Sequence, residues 1–475
     1  MLNKELERVF LTNCAFLPTE SQHQVIIQLI DFLLSREQHT VFLLRGYAGT
    51  GKTSLIGALV KMLLFLERKV VLLAPTGRAA KVFSLYAEHQ AYTIHRKIYR
   101  QKTFFGNSDG GVLNANLYQN TLFIVDEASM IANEGNSGAA EFGTGRLLDD
   151  LISYVYGGKG CRLILLGDAA QLPPVGETES PALSADMLEL YGLTVFSGNL
   201  TQVVRQKETS GILWNATALR KLIMDDEVFE FPKIKCLGFP DVRVVSGEDL
   251  IETLEWAYNH YGLDQTIVVT RSNKRAQIYN QGIRARVLGR EGELESGDQL
   301  LVVKNNYYWH DSSETKPMEF IANGDLAVVR RVRRERELYG FRFADVLFRF
   351  PDYDDIEMEV TVLMDTLNND YPALSRADAD RLFQGVWEDY PEITLKRERL
   401  KKIKSDPYYN ALQVKYAYAV TCHKAQGGQW QSVFIDQGYM TDDMCSPDYF
   451  RWLYTAFTRA TEQVYLVNWP ETQLL

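Results

Sequence analysis

The residues best suited to chemistry sit in VFLLRGYAGTGKTSL, Val41 to Leu55, where an apolar run of strand length meets a glycine-rich turn and a helix-compatible segment. From Gly46 to Thr53 the chain fits GxxxxGK[ST]. Gly46, Gly49 and Gly51 let the backbone turn tightly and aim its N–H groups at phosphates. Lys52 adds a point charge, Thr53 a hydroxyl for Mg2+, and the following helix the positive end of its dipole. Further on, TLFIVDEASM (Thr121 to Met130) ends a strand-like run in two carboxylates. Asp126 is placed to hold Mg2+ through water and Glu127 to orient an attacking water. An acidic pair after a strand is by itself an ordinary solvated terminus; on the same sheet edge as a phosphate loop it becomes a hydrolytic site. CRLILLGDAAQLPPVG (Cys161 to Gly176) supplies another buried strand, ending in Asp168 and Gln171 before a rigid Pro-Pro turn.

These groups need a sheet to hold them. In LPTESQHQVIIQLIDFLLSRE, Thr19 reads as an N-cap with Gln22 at the third helical position, and Val25, Ile26, Leu29, Phe32 and Leu33 form an apolar stripe. KVVLLAPTGRAAKVFSLY is a second strand-turn-helix with Thr76, Gly77 and Arg78 at the strand's carboxyl end, where ligand sites of open parallel sheets gather. TIHRKIY reads as a short helical turn. Between Arg100 and Gln119 a turn-rich centre separates two short flanks, the pattern of a projecting β-hairpin, with Phe104 and Phe105 as either its anchor or an exposed wedge. Gly135 to Gly145 reads as a flexible loop. The expected first unit is a doubly wound α/β domain over residues 1–200, with the hairpin inserted at about 100–119.

The second half repeats the α/β style over 201–306 and 412–475, with DQLLVVKNN as one of its strands, but without a phosphate loop. The alternating pattern from Asp325 to Phe350 predicts a small β-barrel within an insertion over 307–411, which also carries a charged helix at Lys396 to Lys404. The run Arg330 to Arg336 either touches phosphates or is a solvated face. A unit without its own phosphate loop predicts a cleft that the partner unit completes, with an arginine reaching across to the charge that hydrolysis develops. Arg205 and Arg459 are the candidates.

At 475 residues the chain is long enough for about three domains. Its net charge of -10 argues against a surface coated with nucleic acid, but not against a local basic channel. Cys14, Cys161, Cys236, Cys422 and Cys445 never approach CxxC spacing, so neither a zinc ribbon nor a disulfide framework is expected, and a cytoplasmic location fits. No signal-peptide pattern or membrane-length apolar run is expected to tie the chain to a membrane.

The order and wording of these segments resemble the superfamily 1 DNA helicases of the RecD-like and Dda-like 5′-to-3′ branch, AAA-type P-loop ATPases. PTESQ is similar to the Q motif, GYAGTGKTS to motif I, APTGRAA to Ia, VDEASM to II, GDAAQLPPVG to III, LTQVVRQ to IV, YAVTCHKAQGGQW to V and LYTAFTRA to VI. The resemblance implies two RecA-like domains, a strand-separating pin at the hairpin and an SH3-like barrel in the second domain; the stretch 352–409 has no counterpart in it. It implies ATP and Mg2+ as cofactors, and Gln22, Gly46, Gly49, Thr50, Gly51, Lys52, Thr53 and Ser54 around the nucleotide. Gln22, a capping-box partner by local pattern, would read the adenine edge. Thr53 and Asp126 would hold the metal; Lys52, Asp126, Glu127, Gln171, Arg205 and Arg459 would serve hydrolysis and its coupling to movement. Thr76, His95, Phe104, Phe105 and His423 occupy DNA-contact positions, although an interior histidine remains the alternative for His95 and His423. The implied partners are single-stranded DNA and duplex junctions, contacted by a monomer in DNA repair, recombination or replication. An RNA helicase, or an ATPase that remodels proteins, is the competing reading.

Overall fold

The computed structural model describes residues 2–100, 112–134, 143–202, 210–225, 230–310, 318, 320–369, 371 and 373–475. The first half contains strands β1 (Thr40–Gly46), β2 (Lys69–Ala74), β3 (Ala91–Thr93), β4 (Tyr99–Arg100), β5 (Val112–Leu113), β6 (Thr121–Val125), β7 (Arg162–Gly167) and β8 (Thr194–Leu200). Its helices are α1 (Leu2–Thr12), α2 (Glu20–Leu34), α3 (Lys52–Phe65), α4 (Gly77–Ala87), α5 (Ile94–Ile98), α6 (Leu147–Gly157) and α7 (Ala185–Leu190). Six of the strands form a parallel sheet in the order β3-β2-β6-β7-β1-β8. Val41 to Leu44 are fully buried, with Phe42 and Leu44 in the core under α1 to α4 and Val41 and Leu43 in the core under α6. A strand covered on both faces demands such an unbroken apolar run. Because β7 lies between β1 and β6, the loops that follow these three strands converge on one edge.

β4 and β5 pair antiparallel, Tyr99 with Leu113 and Arg100 with Val112. The turn they enclose, with Phe104 and Phe105, lies outside the described residues, as does most of the expected Gly135 to Gly145 loop.

The second half runs through α8 (Gly211–Met224), β9 (Val242–Val245), α9 (Leu250–Tyr261), β10 (Thr266–Thr270), α10 (Asn273–Gly282), β11 (Gln299–Val302), β12 (Leu326–Leu338), β13 (Phe341–Phe350) and β14 (Ile356–Leu363). It continues with α11 (Arg376–Glu388), α12 (Lys396–Lys404), β15 (Leu412–Tyr416), β16 (Ala419–Thr421), α13 (Cys422–Ala425), β17 (Trp430–Asp436), α14 (Pro447–Phe457) and β18 (Ala460–Val467). A second parallel sheet has the order β16-β10-β17-β18-β9, and β11 to β15 close a barrel. The fold is therefore α/β with two RecA-like sheets and a barrel insertion. One expected element changes place: DQLLVVKNN supplies β11, a barrel strand paired with β12 and β15, not a strand of the open sheet. The barrel thus reaches beyond 307–411 at both ends. Leu300 and Val302 are buried in either arrangement, and an apolar run alone does not distinguish them. Beside the barrel, α11 and α12 bury Leu382, Val386 and Ile403 against Phe341, Phe343 and Leu363.

Two polar joints hold the barrel. Asp298, fully buried, takes a bidentate pair from Arg284 (2.9 and 3.0 Å) and accepts from the Tyr418 hydroxyl (2.8 Å) and the Glu295 N–H (2.7 Å). Burial alone would raise its pKa; these donors outweigh burial and lower it. On the other side Asp325, also fully buried, accepts from the Ala322 N–H (2.7 Å) and the Tyr353 hydroxyl (2.9 Å), and burial pushes it up to about 7. A Cβ at Gly77 would stand 2.8 Å from its Oδ1, so the glycine of APTGRAA lets the barrel approach the start of α4.

Candidate nucleotide site and DNA-facing edge

The phosphate loop turns on Gly49 and Gly51, at φ 77° and 79°, and α3 starts at Lys52. The Lys52 ammonium donates to the carbonyls of Gly46 (2.5 Å) and Tyr47 (3.0 Å). Gly46 has no room for a side chain: a Cβ would lie 2.9 Å from Thr50 Oγ1 and 3.0 Å from Leu200. Thr50 is buried with its hydroxyl on the Tyr47 carbonyl (2.7 Å), so Gly46 and Thr50 shape the loop rather than line its cavity. Thr53 Oγ1 donates to Asp126 Oδ2 (3.2 Å) across β1 and β6. Burial and then the adjacent Glu127 carboxylate raise the pKa of Asp126, although the Glu127 N–H (2.8 Å), Lys52 and Thr53 oppose them. Glu127 itself holds a left-handed backbone, φ 52°.

Gln22 satisfies both halves of the capping box, accepting from the Thr19 N–H (2.9 Å) and donating to Thr19 Oγ1 (3.3 Å) through its own backbone N–H. Its Nε2 donates to the Thr50 carbonyl (3.0 Å), so one side chain ties the start of α2 to the phosphate loop while lining the cavity.

From the second sheet comes Arg459, at the end of α14. It is nearly fully buried, fixed on the Thr455 and Gly428 carbonyls (both 3.2 Å), with Nη1 4.0 Å from Glu127 Oε1. Arg205 lies outside the described residues. A cavity of about 740 Å³ runs between the two units, lined by Gln22, Lys52, Thr53 and Ser54, by Asp126, Glu127 and Gln171, and by Arg459. That volume suits a nucleotide. The carbonyl oxygen of the Gln171 side chain is buried there with no hydrogen-bond partner among the described residues, an acceptor available to a ligand. The glycine turns, the lysine, the Thr53-Asp126 pair and this orphaned amide fit a Mg2+-nucleotide.

The cross-links of the cleft carry no motif in the sequence. The Tyr454 hydroxyl donates to Asp168 Oδ2 (2.6 Å) and accepts from the Ala48 N–H (3.1 Å), joining α14 to the loops after β7 and β1. Thr455 Oγ1 accepts from the Leu172 N–H (2.9 Å), Gln426 Nε2 donates to the Leu172 carbonyl (2.7 Å), and Arg220 lies 4.4 Å over the Tyr47 ring. LYTAFTRA contained Tyr454 and Thr455, but in an apolar helix a tyrosine reads as core.

On the neighbouring edge, Thr76 caps α4 through the Ala79 N–H (3.2 Å). It faces the β16-β17 loop, where a Cβ at Gly427 would lie 3.2 Å from Thr76 Oγ1. Arg78 donates to the Gln429 carbonyl (2.8 Å) and stacks 4.0 Å over Trp430. His95 and His423 are half-buried; burial lowers both, His95 to about 4, against the weaker opposing charges of Asp150 and Asp448. Both imidazoles are therefore neutral at neutral pH and suited to stacking or hydrogen bonding rather than to charge pairing. Among the described residues no group of three or more His, Cys, Asp and Glu side chains is placed to hold a metal, and no helix is long and apolar enough to cross a membrane.

Comparison with known proteins bears on this arrangement. Residues 20–226 match the AAA domain family and residues 416–467 the UvrD-like helicase C-terminal domain, together more than half of the chain. The ATP-dependent RecD2 DNA helicase of Deinococcus radiodurans is 29% identical over 334 residues, 68% of this chain and 40% of that protein. An uncharacterised protein of Acanthamoeba polyphaga mimivirus is 23% identical over 92% of this chain and 97% of its own length. One of Methanocaldococcus jannaschii is 24% identical over 90% and 37%. The chain thus spans nearly all of the viral relative and less than half of the other two. Among solved structures, Pif1 helicase from Bacteroides in complex with ADP-AlF3 and ssDNA aligns with a TM-score of 0.49 at 16% identity, covering 96% of this chain and 94% of that one. Pif1 from Candida albicans gives 0.41 at 15%, covering 96% of each. These scores are too low to bear on function. The two matched domains lie one on each sheet of the cleft, in the order of the motif blocks, and support the likeness of this chain to the superfamily 1 helicases of the RecD-like branch.

Proposed function

We propose that this enzyme is an ATP-driven DNA helicase that moves along single-stranded DNA from 5′ to 3′ and separates duplex ahead of it. The observation that carries the reading is the cavity where Lys52, Asp126 and Glu127 of one sheet meet Arg459 of the other. Lys52 and the loop N–H groups bind the β- and γ-phosphates. Thr53 and Asp126 would hold Mg2+, whose charge neutralises phosphate oxygens. Glu127 orients the attacking water and accepts its proton, and Arg459, already fixed on two carbonyls, stabilises the charge that develops on the transferred phosphoryl group. Gln171 contacts the γ-phosphate, and the Tyr454-Asp168-Ala48 bridge passes the difference between bound and hydrolysed states to the second unit.

The strand path runs over Thr76, His95 and His423, with Phe104 and Phe105 as the wedge; the antiparallel β4-β5 base supports a projecting hairpin there. The choice of DNA is supported by the RecD2 relative, a DNA helicase by name. The polarity follows the branch, and a monomer suffices because both halves of the site lie on one chain.

Replacing Lys52 by Ala is expected to remove ATPase and unwinding together while single-strand binding, followed by fluorescence anisotropy, stays within about threefold of wild type. Retained hydrolysis in that variant would sink the assignment. Duplexes tailed at the 5′ or the 3′ end report polarity, and preferential unwinding of the 3′-tailed substrate would reverse it. An RNA strand that stimulates hydrolysis better than DNA would replace DNA by RNA. Changing Phe104 and Phe105 to Ala is expected to impair unwinding more than DNA-stimulated ATPase; equal loss of both would make the pair an anchor.

A further inference from the structure

Outside the motor, a cleft of about 1090 Å³ opens between the barrel and the α11-α12 segment. Rings of Tyr308, Trp309, Phe383 and Tyr409 line it, together with Lys304 and Lys404. These rings are only half-buried, as a stacking surface requires and a sealed core does not. Among the described residues the cleft has two carboxylates: Glu359, already paired with Arg333 at 3.3 Å, and the exposed Asp380. Lys404 is the last residue of α12, KRERLKKIK, on which Lys396, Arg397, Lys401, Lys402 and Lys404 are all exposed, in a chain of net charge -10. Arg399 points elsewhere, held on the Trp387 carbonyl (3.0 Å) and ring. The cleft also abuts the strand-facing edge of the motor. Its wall residue Asn305 accepts from the Asn323 N–H (2.7 Å), and Asn323 Oδ1 accepts from Lys424 of α13 (2.7 Å), next to His423.

Half-exposed aromatic rings beside a row of cations are the combination that holds single-stranded nucleic acid, with bases on the rings and phosphates on the cations. We propose that this cleft and the exposed face of α12 form a second binding groove for single-stranded DNA, receiving the strand beyond the α13 edge and lengthening the footprint of the motor. The inference rests on the DNA-motor reading for its ligand, but on different residues. It also gives a task to the stretch 352–409, which the helicase resemblance leaves without one.

The test uses the full chain and oligo(dT) of increasing length, with both anisotropy and ATPase as readouts. Wild type should continue to gain affinity beyond the length at which ATPase stimulation saturates. A Lys401→Gln, Lys402→Gln, Lys404→Gln variant should lose about two units of salt slope on long oligomers, near 0.7 per phosphate contact, and nothing on short ones. Phe383→Leu, which keeps apolar packing but not a stacking face, should weaken long-oligomer binding about fivefold or more, and Phe383→Trp should restore it. Long-oligomer affinity and salt slope equal to wild type in these variants would overturn the groove. So would equal losses on short and long oligomers, or a loss confined to substrates carrying duplex. If wild-type ATPase ignores DNA while the lysine variant still loses long-oligomer binding, the motor reading falls and the groove stands.

Discussion

The motor cleft and the barrel cleft are both wide hollows between elements, yet they are built by opposite means. The first is made of backbone: glycines with positive φ, a helix that begins at Lys52, carboxylates at strand ends, and an arginine pinned on two carbonyls. Its geometry tolerates little change because charge must be met within hydrogen-bond reach at each phosphate oxygen. The second is made of side-chain surface, half-exposed rings and a lysine-rich helix, and tolerates substitution because stacking and phosphate attraction are not tied to one atom. Chemistry leaves motifs in a sequence; adhesion leaves only composition.

That contrast can be broken first at Arg459. Arg459→Lys keeps a charge but loses the planar fork held on Thr455 and Gly428, and ATPase turnover should fall about 10³-fold with single-strand binding preserved. A loss under tenfold would move the trans-acting charge elsewhere, with Arg205 next in line. The second effect concerns stability. Asp298→Ala leaves Arg284 buried without its carboxylate and should cost about 3–5 kcal/mol, seen as a lowered melting midpoint. An unchanged midpoint would mean that the barrel is not anchored through this pair.

The third effect is coupling. Tyr454→Phe removes one hydroxyl shared by Asp168 and the Ala48 N–H, worth about 1.5–3 kcal/mol where a charged group is involved. It should reduce unwinding more than DNA-independent hydrolysis. Equal reductions would make the tyrosine part of the hydrolytic site itself.

The smallest effect is one of pH. The Asp325 carboxyl titrates near 7 when folded and near 4 when unfolded, so between those values the folded chain binds more protons. Stability therefore falls as pH rises from about 4 through 7. Asp325→Asn accepts from the Ala322 N–H with its oxygen and donates to a rotated Tyr353 hydroxyl, so it should flatten the fall in melting midpoint between pH 5 and pH 8. A variant whose midpoint falls as steeply as wild type would place the titration elsewhere.

The same division explains what could be read from the residues alone. The phosphate loop, the capping box at Thr19 and Gln22, the strand ending at Asp126 and the doubly wound α/β character of the first unit follow from local patterns: glycine spacing, a cap three residues before its glutamine, and apolar runs of strand length. The place of β11 in the barrel was not legible, since Leu300 and Val302 are buried whichever sheet they join. Nor was the Tyr454 bridge, because its partners Ala48 and Asp168 are brought to it only by the packing of one sheet against the other. The aromatic cleft was invisible for a related reason: Trp309, Phe383 and Tyr409 come from three separate segments and share no spacing.

The central question is whether the cleft between the two sheets is driven by DNA. Steady-state ATP hydrolysis by the full chain with Mg2+, measured with and without saturating single-stranded DNA, tests this most directly. The expected result is stimulation by at least an order of magnitude that vanishes in Lys52→Ala. Hydrolysis at the same rate with and without the strand would contradict it and leave an ATPase whose work is done on something other than DNA.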